Sequence, residues 1–299
     1  SSATTHGISM NSFANVLTIV FAAMSIHGVS LATGQNNPES VQGQTSKSIA
    51  EDGATQTQSA SSISDTPIPA DEASVFLIGN SLTWDTVPPW LDEDVQWHVD
   101  CGKSLPYIYA NPEEPCVTTS TLWPTALIEK QYDILCFQPH YGSTVEKDAE
   151  VIGKWLAMQP KARVVIHTGW ARTESRAEEY ASNDSAGDLQ HSEAYFQALL
   201  ETLRRQHPNR DFRVTAAMRL LNAIAAEIAS GDAPLESIEA LHRDAIHMKL
   251  PSGKYLMHNL MRQALDQPRT ERGFDLSEVS VELKAYLAEK LSAVELSQD

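Results

Sequence analysis

Positive charge is what this chain has least of. It carries 22 Lys and Arg against 39 Asp and Glu, a balance of −17 at pH 7. A polyanion would be repelled by such a surface, which sets aside nucleic acid and an anionic membrane as main partners and favours a neutral or weakly charged small molecule. Cysteine is scarce as well. There are three in 299 residues and no C-x-x-C pair, so the usual spacing of a structural zinc site is missing. The N-terminal apolar run at residues 13 to 24 falls short of the roughly 20 residues that a stable membrane span needs, and is about the length of a signal-peptide core.

Two further gaps are local. No Lys or Arg precedes Lys47, so the signal reading lacks its positive n-region, although Ser30-Leu31-Ala32 offers a small-x-small cleavage site. A stray N-terminal helix is the alternative; export to the periplasm or outside the cell is the expectation. No Asn occurs between Asn111 and Asn183, a gap that matters below. Residues 36 to 70 are rich in Ser, Thr, Gln, Gly and Ala with few large apolar side chains, too few to build a core, and read as a flexible linker. The expected division is residues 1–34 signal peptide, 35–71 disordered low-complexity linker and 72–299 one folded domain with a C-terminal helix.

Within that domain, β-type apolar runs alternate with helical periodicity. Strands are expected at 75–79, 94–99, 132–138, 163–168 and 212–217, with helices near 121–130, 145–158, 189–206, 217–230 and 253–264. Alternation of this kind predicts an α/β fold, a three-layer α/β/α sandwich around a mostly parallel five-stranded sheet. An amphipathic stretch at Val281, Leu283, Leu287 and Leu291 predicts an outer helix packed on the domain.

The first strand stops at Gly79-Asn80 and a serine follows at once, so Ser81 is expected on a turn at the carboxyl end of a strand, where open α/β sheets place their ligands. Far downstream, Asp244 and His247 stand three residues apart, just ahead of Gly253 and an apolar helix. A serine hydroxyl is a weak nucleophile until an imidazole accepts its proton, and the imidazole needs a third group to fix its tautomer. One short loop could supply both. Taken singly, Ser81 and Asp244 could be helix caps and His247 a surface histidine.

Gly79-Asn80-Ser81-Leu82 resembles the Gly-Asp-Ser-Leu signature of the SGNH/GDSL hydrolases, with Asn in second place, and Asp244-Ala245-Ile246-His247 resembles that family's C-terminal Asp-x-x-His block. The resemblance implies a flavodoxin-like domain and a cofactor-free ester hydrolase acting through an acyl-enzyme. Ser81 would be nucleophile, His247 base and Asp244 its orienting acid. It further implies that the Ser81 and Gly102 N–H groups bind the oxyanion, Gly102 standing after the second strand; an ordinary turn glycine is the alternative there. Gly102-Lys103-Ser104 is no P-loop, since Trp97 stands where that motif needs glycine.

The chain departs from the family at its third block, Gly-x-Asn-Asp, for Gln138-Pro139-His140 ends the third strand instead. Gln138 is expected to replace the Asn as oxyanion donor, with His140 second; the alternative is that Gln138 only ties down the Pro139 loop. Trp84 and Trp170 are expected near the catalytic edge, where their faces could stack on a sugar, and Trp170 is a candidate substrate contact. An O-acylated carbohydrate or a small ester is therefore the expected substrate. Two other readings stand beside this one: a carbohydrate-binding protein that has lost catalysis, and a metal-assisted hydrolase using His242, Asp244 and His247. Cys101 and Cys116 flank a Pro-rich loop and could pair in an exported protein, leaving Cys136 buried and reduced.

Overall fold

The computed structural model describes residues 73–92 and 94–294; the expected signal peptide and linker lie outside the described residues. Five strands, β1 (Val75–Gly79), β2 (Val95–Val99), β3 (Ile134–Phe137), β4 (Arg163–His167) and β5 (Phe212–Thr215), form one sheet in the order β2-β1-β3-β4-β5. Every pairing is parallel. The chain steps outward from β1 to β2, then returns past β1 to β3, so the winding reverses between β1 and β3. Open sheets present a crevice at that reversal, beyond the carboxyl ends of the two strands.

Burial on both faces explains why the three inner strands, β1, β3 and β4, are nearly continuous apolar runs, unlike the edge strands β2 and β5. Successive side chains point to opposite faces. Phe76, Ile78, Leu135, Phe137, Val164 and Ile166 face one way, into a core completed by helices α2 (Leu105–Ala110), α3 (Trp123–Glu129), α4 (Val145–Met158) and α6 (Glu193–Gln206). Val75, Leu77, Ile134, Cys136 and Val165 face the other way, onto Met261, Ala264 and Leu265 at the end of α8 (Ser252–Ala264). A third cluster joins α7 (Ala217–Ser230), α8 and α9 (Val281–Ala293), so the amphipathic tail does pack on the domain through Tyr286, Leu287 and Leu291.

Local chemistry trims several expected boundaries. Helix α6 starts at Glu193 because Ser192 Oγ accepts the Tyr195 N–H at 3.2 Å. Strand β5 stops at Thr215 because α7 begins two residues later. Helices α1 (Ser81–Trp84) and α5 (Arg176–Tyr180) are too short to show helical periodicity in sequence. Among the described residues no helix is long and apolar enough to cross a membrane.

Cys101 and Cys116 are bonded, with Cα atoms 5.6 Å apart, and Cys136 on β3 is free and buried. Thiol counting on the unfolded, unreduced protein should therefore find one thiol; finding three would remove the bond. Reduction should cost about 3 kcal/mol of stability for a loop of this size, measurable as a lowered urea midpoint.

Candidate active site

The turn after β1 is built by its own sequence. Asn80 caps α1: its Oδ1 accepts the Leu82 N–H at 2.9 Å and its C=O accepts the Trp84 N–H at 3.2 Å. Its Nδ2 donates to Lys103 O at 3.2 Å, which ties the turn after β2 to the residue preceding Ser81. Gly79 is required by space, since a Cβ there would stand 2.1 Å from Thr83 Oγ1 and 2.8 Å from Gln138 Cβ. Ser81, the first residue of α1, is thus displayed at the β1/β3 crevice.

His247 arrives on the loop from His242 to Met248, which is fastened on both sides. An antiparallel bridge closes it between His242 and Met248, and Arg243 N–H donates to His247 O at 2.9 Å. Thr173 N–H donates to Ala245 O at 2.8 Å and the Trp170 indole N–H to Ile246 O at 2.6 Å. Met248 N–H donates to Asp85 Oδ2 at 2.7 Å, and Lys254 Nζ lies 3.1 Å from the other oxygen of that carboxylate. Burial pushes the Asp85 carboxyl up, against the pull of the lysine. Because Asp85 caps the end of α1, it joins the loop of His247 directly to the helix of Ser81.

Ser81, Asp244 and His247 are brought together. His247 Nε2 lies 3.0 Å from Ser81 Oγ, and His247 Nδ1 lies 3.0 and 2.9 Å from the two Asp244 oxygens. Asp244 Oδ1 also accepts the Ile246 and His247 backbone N–H groups at 3.0 and 2.8 Å. Burial opposes the ionised carboxyl, but those two donors and the imidazole outweigh it and hold Asp244 well below the usual carboxylate range. The arrangement can take a proton from Ser81 Oγ and steady the imidazolium that results, which is the geometry of an activated serine.

Gly102 stands in the exposed turn after β2 at φ +70°, a conformation that favours glycine. No hydrogen bond from its N–H, or from that of Ser81, is found among the described residues. The remaining expected contacts are placed differently. Gln138 is fully buried: its Oε1 accepts from the Asn80 N–H at 3.0 Å and from Thr83 Oγ1 at 3.3 Å, and its Nε2 donates to Pro139 O at 2.8 Å. The amide is turned to the backbone, so in place of the expected oxyanion donor it is a tie between the ends of β1 and β3. Trp170 is also fully buried. It offers no face to a sugar and braces the His247 loop instead. Trp84 is half-buried against Trp97, ring centroids 5.8 Å apart. His140 lies just beyond Gln138, almost wholly buried.

The metal reading does not match this geometry. His242 is buried with Nδ1 2.9 Å from Ile238 O, and no group of three His, Cys, Asp or Glu among the described residues is placed to hold a metal ion. Sequence reasoning missed Asp85 and Thr173, which touch the loop of His247 across 163 and 72 positions of chain, and no spacing signal could have paired them.

Gln138→Ala should leave the Asn80 N–H buried and unpaired and lower stability by about 1–3 kcal/mol in urea titration; an unchanged midpoint would return Gln138 to the substrate side. A second expectation concerns acid. Burial opposes ionisation of Glu179, but donors from His191, Ser175 and Tyr141 outweigh it and lower its pKa from 4.5 to about 2. Its folded pKa lies below its unfolded one, so its stabilisation is complete above about pH 4.5 and fades as the pH falls toward 2. Glu179→Gln should flatten the stability profile across that window; an unaltered slope would show that the carboxylate contributes nothing there.

No family model matches the chain, and no curated protein does. Solved structures do. A chain from Parabacteroides merdae described as a GDSL-like lipase is 14% identical with a TM-score of 0.39, covering 65% of this chain and 96% of its own. A carbohydrate esterase family 3 protein from Talaromyces cellulolyticus is 13% identical with a TM-score of 0.42, covering 65% and 96%. Phospholipase A1 from Streptomyces albidoflavus is 9% identical with a TM-score of 0.35, covering 64% and 99%. These are proteins the chain is similar to, GDSL-like and esterase chains among them, alongside the resemblance that Gly79–Leu82 and Asp244–His247 carry in the sequence.

Proposed function

We propose that the protein is a serine-dependent ester hydrolase acting through an acyl-enzyme. The observation that carries the reading is the 3.0 Å contact from His247 Nε2 to Ser81 Oγ, with His247 Nδ1 on Asp244. Ser81 Oγ adds to the ester carbonyl carbon while its proton passes to His247 Nε2, and the carbonyl π pair moves onto oxygen. The Ser81 and Gly102 N–H groups receive that oxyanion. Collapse breaks the bond to the alcohol, which leaves with the proton held by His247. Water then repeats the sequence on the acyl-serine, giving up its proton to His247 and releasing the acid. Asp244 keeps the imidazole in the tautomer whose Nε2 can accept.

The substrate side of the proposal is an O-acyl group on a carbohydrate or other uncharged alcohol. A net charge of −17 disfavours polyanionic substrates, and the half-buried Trp84 stands beside the turn that displays Ser81. Export belongs to the same proposal, supported by the Cys101–Cys116 bond and the apolar run at residues 13 to 24.

A fluorophosphonate should add once, on the peptide holding Ser81, and not at all to Ser81→Ala. Ser81→Ala and His247→Ala should each lower kcat on p-nitrophenyl acetate by about 10⁴-fold or more while melting like the parent protein. Asp244→Asn should be damaging to a smaller degree. An unlabelled parent protein that still binds sugars would replace the hydrolase with a carbohydrate-binding role.

A further inference from the structure

Tryptophan is highly buried on average in folded proteins, yet of the six in this chain Trp90 is 40% exposed. Its backbone is fixed. It ends the short 3₁₀ helix Pro88–Trp90, in which two successive prolines set the chain direction and the Trp90 N–H donates to Val87 O at 3.0 Å. A Cβ on Gly273 would stand 2.9, 3.0 and 3.2 Å from Trp90 Cε3, Cδ2 and Cζ3. These are successive carbons of the six-membered ring, and near-equal distances to all of them put Gly273 over the face of the indole rather than at its edge. Phe274 meets the same ring at 84°, centroids 4.9 Å apart. One face of Trp90 is thus bedded on backbone, and its exposure belongs to the opposite face and the outer edge.

Trp90 lines a cleft of about 970 Å³ beside the edge strand β2, at the upper end of the roughly 300–1,000 Å³ of ligand sites. Its polar groups are built in. Arg262, 4% exposed, gives Nη1 and Nη2 to the two Asp92 oxygens at 3.1 and 2.9 Å, and its Nε donates to Pro268 O at 2.5 Å. The Asp92 carboxylate is therefore held by a buried fork while its half-buried side chain keeps lone pairs for other donors. Asp94 adds a second, exposed carboxylate. Arg272 lines the cleft too; its backbone N–H donates to Thr270 Oγ1 at 3.0 Å, and among the described residues its guanidinium has no acceptor. Trp97 completes the wall and packs on Trp84, ring centroids 5.8 Å apart. Since Trp84 ends α1, one pair of rings joins the cleft to the helix that displays Ser81.

We propose that this cleft is a glycan-binding site, separate from the Ser81 site, which takes uncharged pyranose residues of an oligo- or polysaccharide. A pyranose has a face of C–H groups and a rim of hydroxyls that both donate and accept. The C–H face lies on the bare face of Trp90, and the hydroxyls give to Asp92 and Asp94 and accept from Arg272. Other ligands match only part of this. A proline-rich peptide suits an aromatic groove, but its backbone brings carbonyl acceptors and few N–H groups, which leaves the two carboxylates without donors. An acidic sugar or a nucleotide would set its charge beside those carboxylates. The cleft binds whether or not Ser81 is activated; beside an active Ser81 it would raise the local concentration of a polymeric substrate.

Affinity electrophoresis through gels holding arabinoxylan, galactomannan or hydroxyethylcellulose tests the site on the parent protein, Ser81→Ala, Trp90→Ala and Trp90→Tyr. At least one of these polysaccharides should retard the parent protein and Ser81→Ala alike. Trp90→Ala should weaken that binding about tenfold or more with unchanged melting, and Trp90→Tyr, which keeps a flat ring, should recover most of it. Turnover of p-nitrophenyl acetate by Trp90→Ala should stay within about twofold of the parent, because a small ester needs no grip outside the Ser81 site. A parent protein that binds the glycan without hydrolysing the ester sinks the hydrolase reading and leaves the cleft standing. Retardation by none of the three, or Trp90→Ala retarded like the parent, overturns the glycan site; binding of a polyproline peptide in place of the polysaccharides overturns it in favour of a protein ligand. Should Trp90→Ala fail to fold, Arg272→Ala decides: weakening by about threefold or more supports the site, and unchanged retardation ends it.

Discussion

A hydrogen bond between Ser81 Oγ and His247 Nε2 joins residues 166 positions apart, and the carboxyl edge of the sheet is arranged to keep it at bonding distance. Neither partner sits on a long element. Ser81 opens a helix of four residues and His247 rides a loop. Such pieces have almost no stability of their own, because the first helical turn fixes many dihedrals for few hydrogen bonds. Their geometry is imposed from outside. Asn80 and Gln138 fix the start of α1, Asp85 links its end to Met248, and Trp170 and Thr173 hold the carbonyls of Ile246 and Ala245. Backbone groups that would otherwise be unpaired at a strand-to-helix turn become the fasteners of the site.

The same edge is crowded with imidazoles whose charge is suppressed. Burial lowers the pKa of His140 to about 3 and that of His167 to about 4, and it lowers that of His191 despite the neighbouring Glu179 carboxylate. His247 differs in position: a quarter of its side chain is exposed and a half-exposed carboxylate lies on its Nδ1. In the proposed reaction, positive charge developing on His247 would meet no resident cation among these rings, and the Asp244 carboxylate on its Nδ1 would stabilise it. Neutral histidines can line the crevice as donors or packing surfaces without competing for the proton of Ser81.

Much of this was legible in the sequence, for identifiable reasons. The strands read as strands because both faces of a parallel sheet are covered, and α4, α7 and α8 lie where their apolar spacing and stops put them. That Ser81, Asp244 and His247 would meet was legible because Ser81 follows a strand end and Asp244 and His247 stand three residues apart in one loop. Gln138 and Trp170 were misread for a common reason. Residue type and chain position fix which edge of the sheet a side chain reaches, not whether it turns outward to substrate or inward to backbone. That choice is made by partners distant in sequence, Asn80 for Gln138 and Ile246 for Trp170. Asp85 was illegible because nothing in a buried carboxylate's own neighbourhood names the loop it will hold.

Because the fasteners are shared, stability and chemistry are coupled along this edge more tightly than in the helical layers. Trp155, for example, fills the core among Phe137, Trp123 and Tyr109; truncating it would cost packing, yet the Ser81–His247 contact depends on it only through the sheet as a whole. Asp85 is different. It is 1% exposed, accepts the Met248 N–H and pairs with Lys254. Removing its carboxylate would strand a half-buried lysine and a backbone donor together, and would free the loop that carries His247 from the helix that carries Ser81. A site assembled from short pieces gains precision only from such joints. The residues that touch no substrate therefore set how closely His247 is held to Ser81.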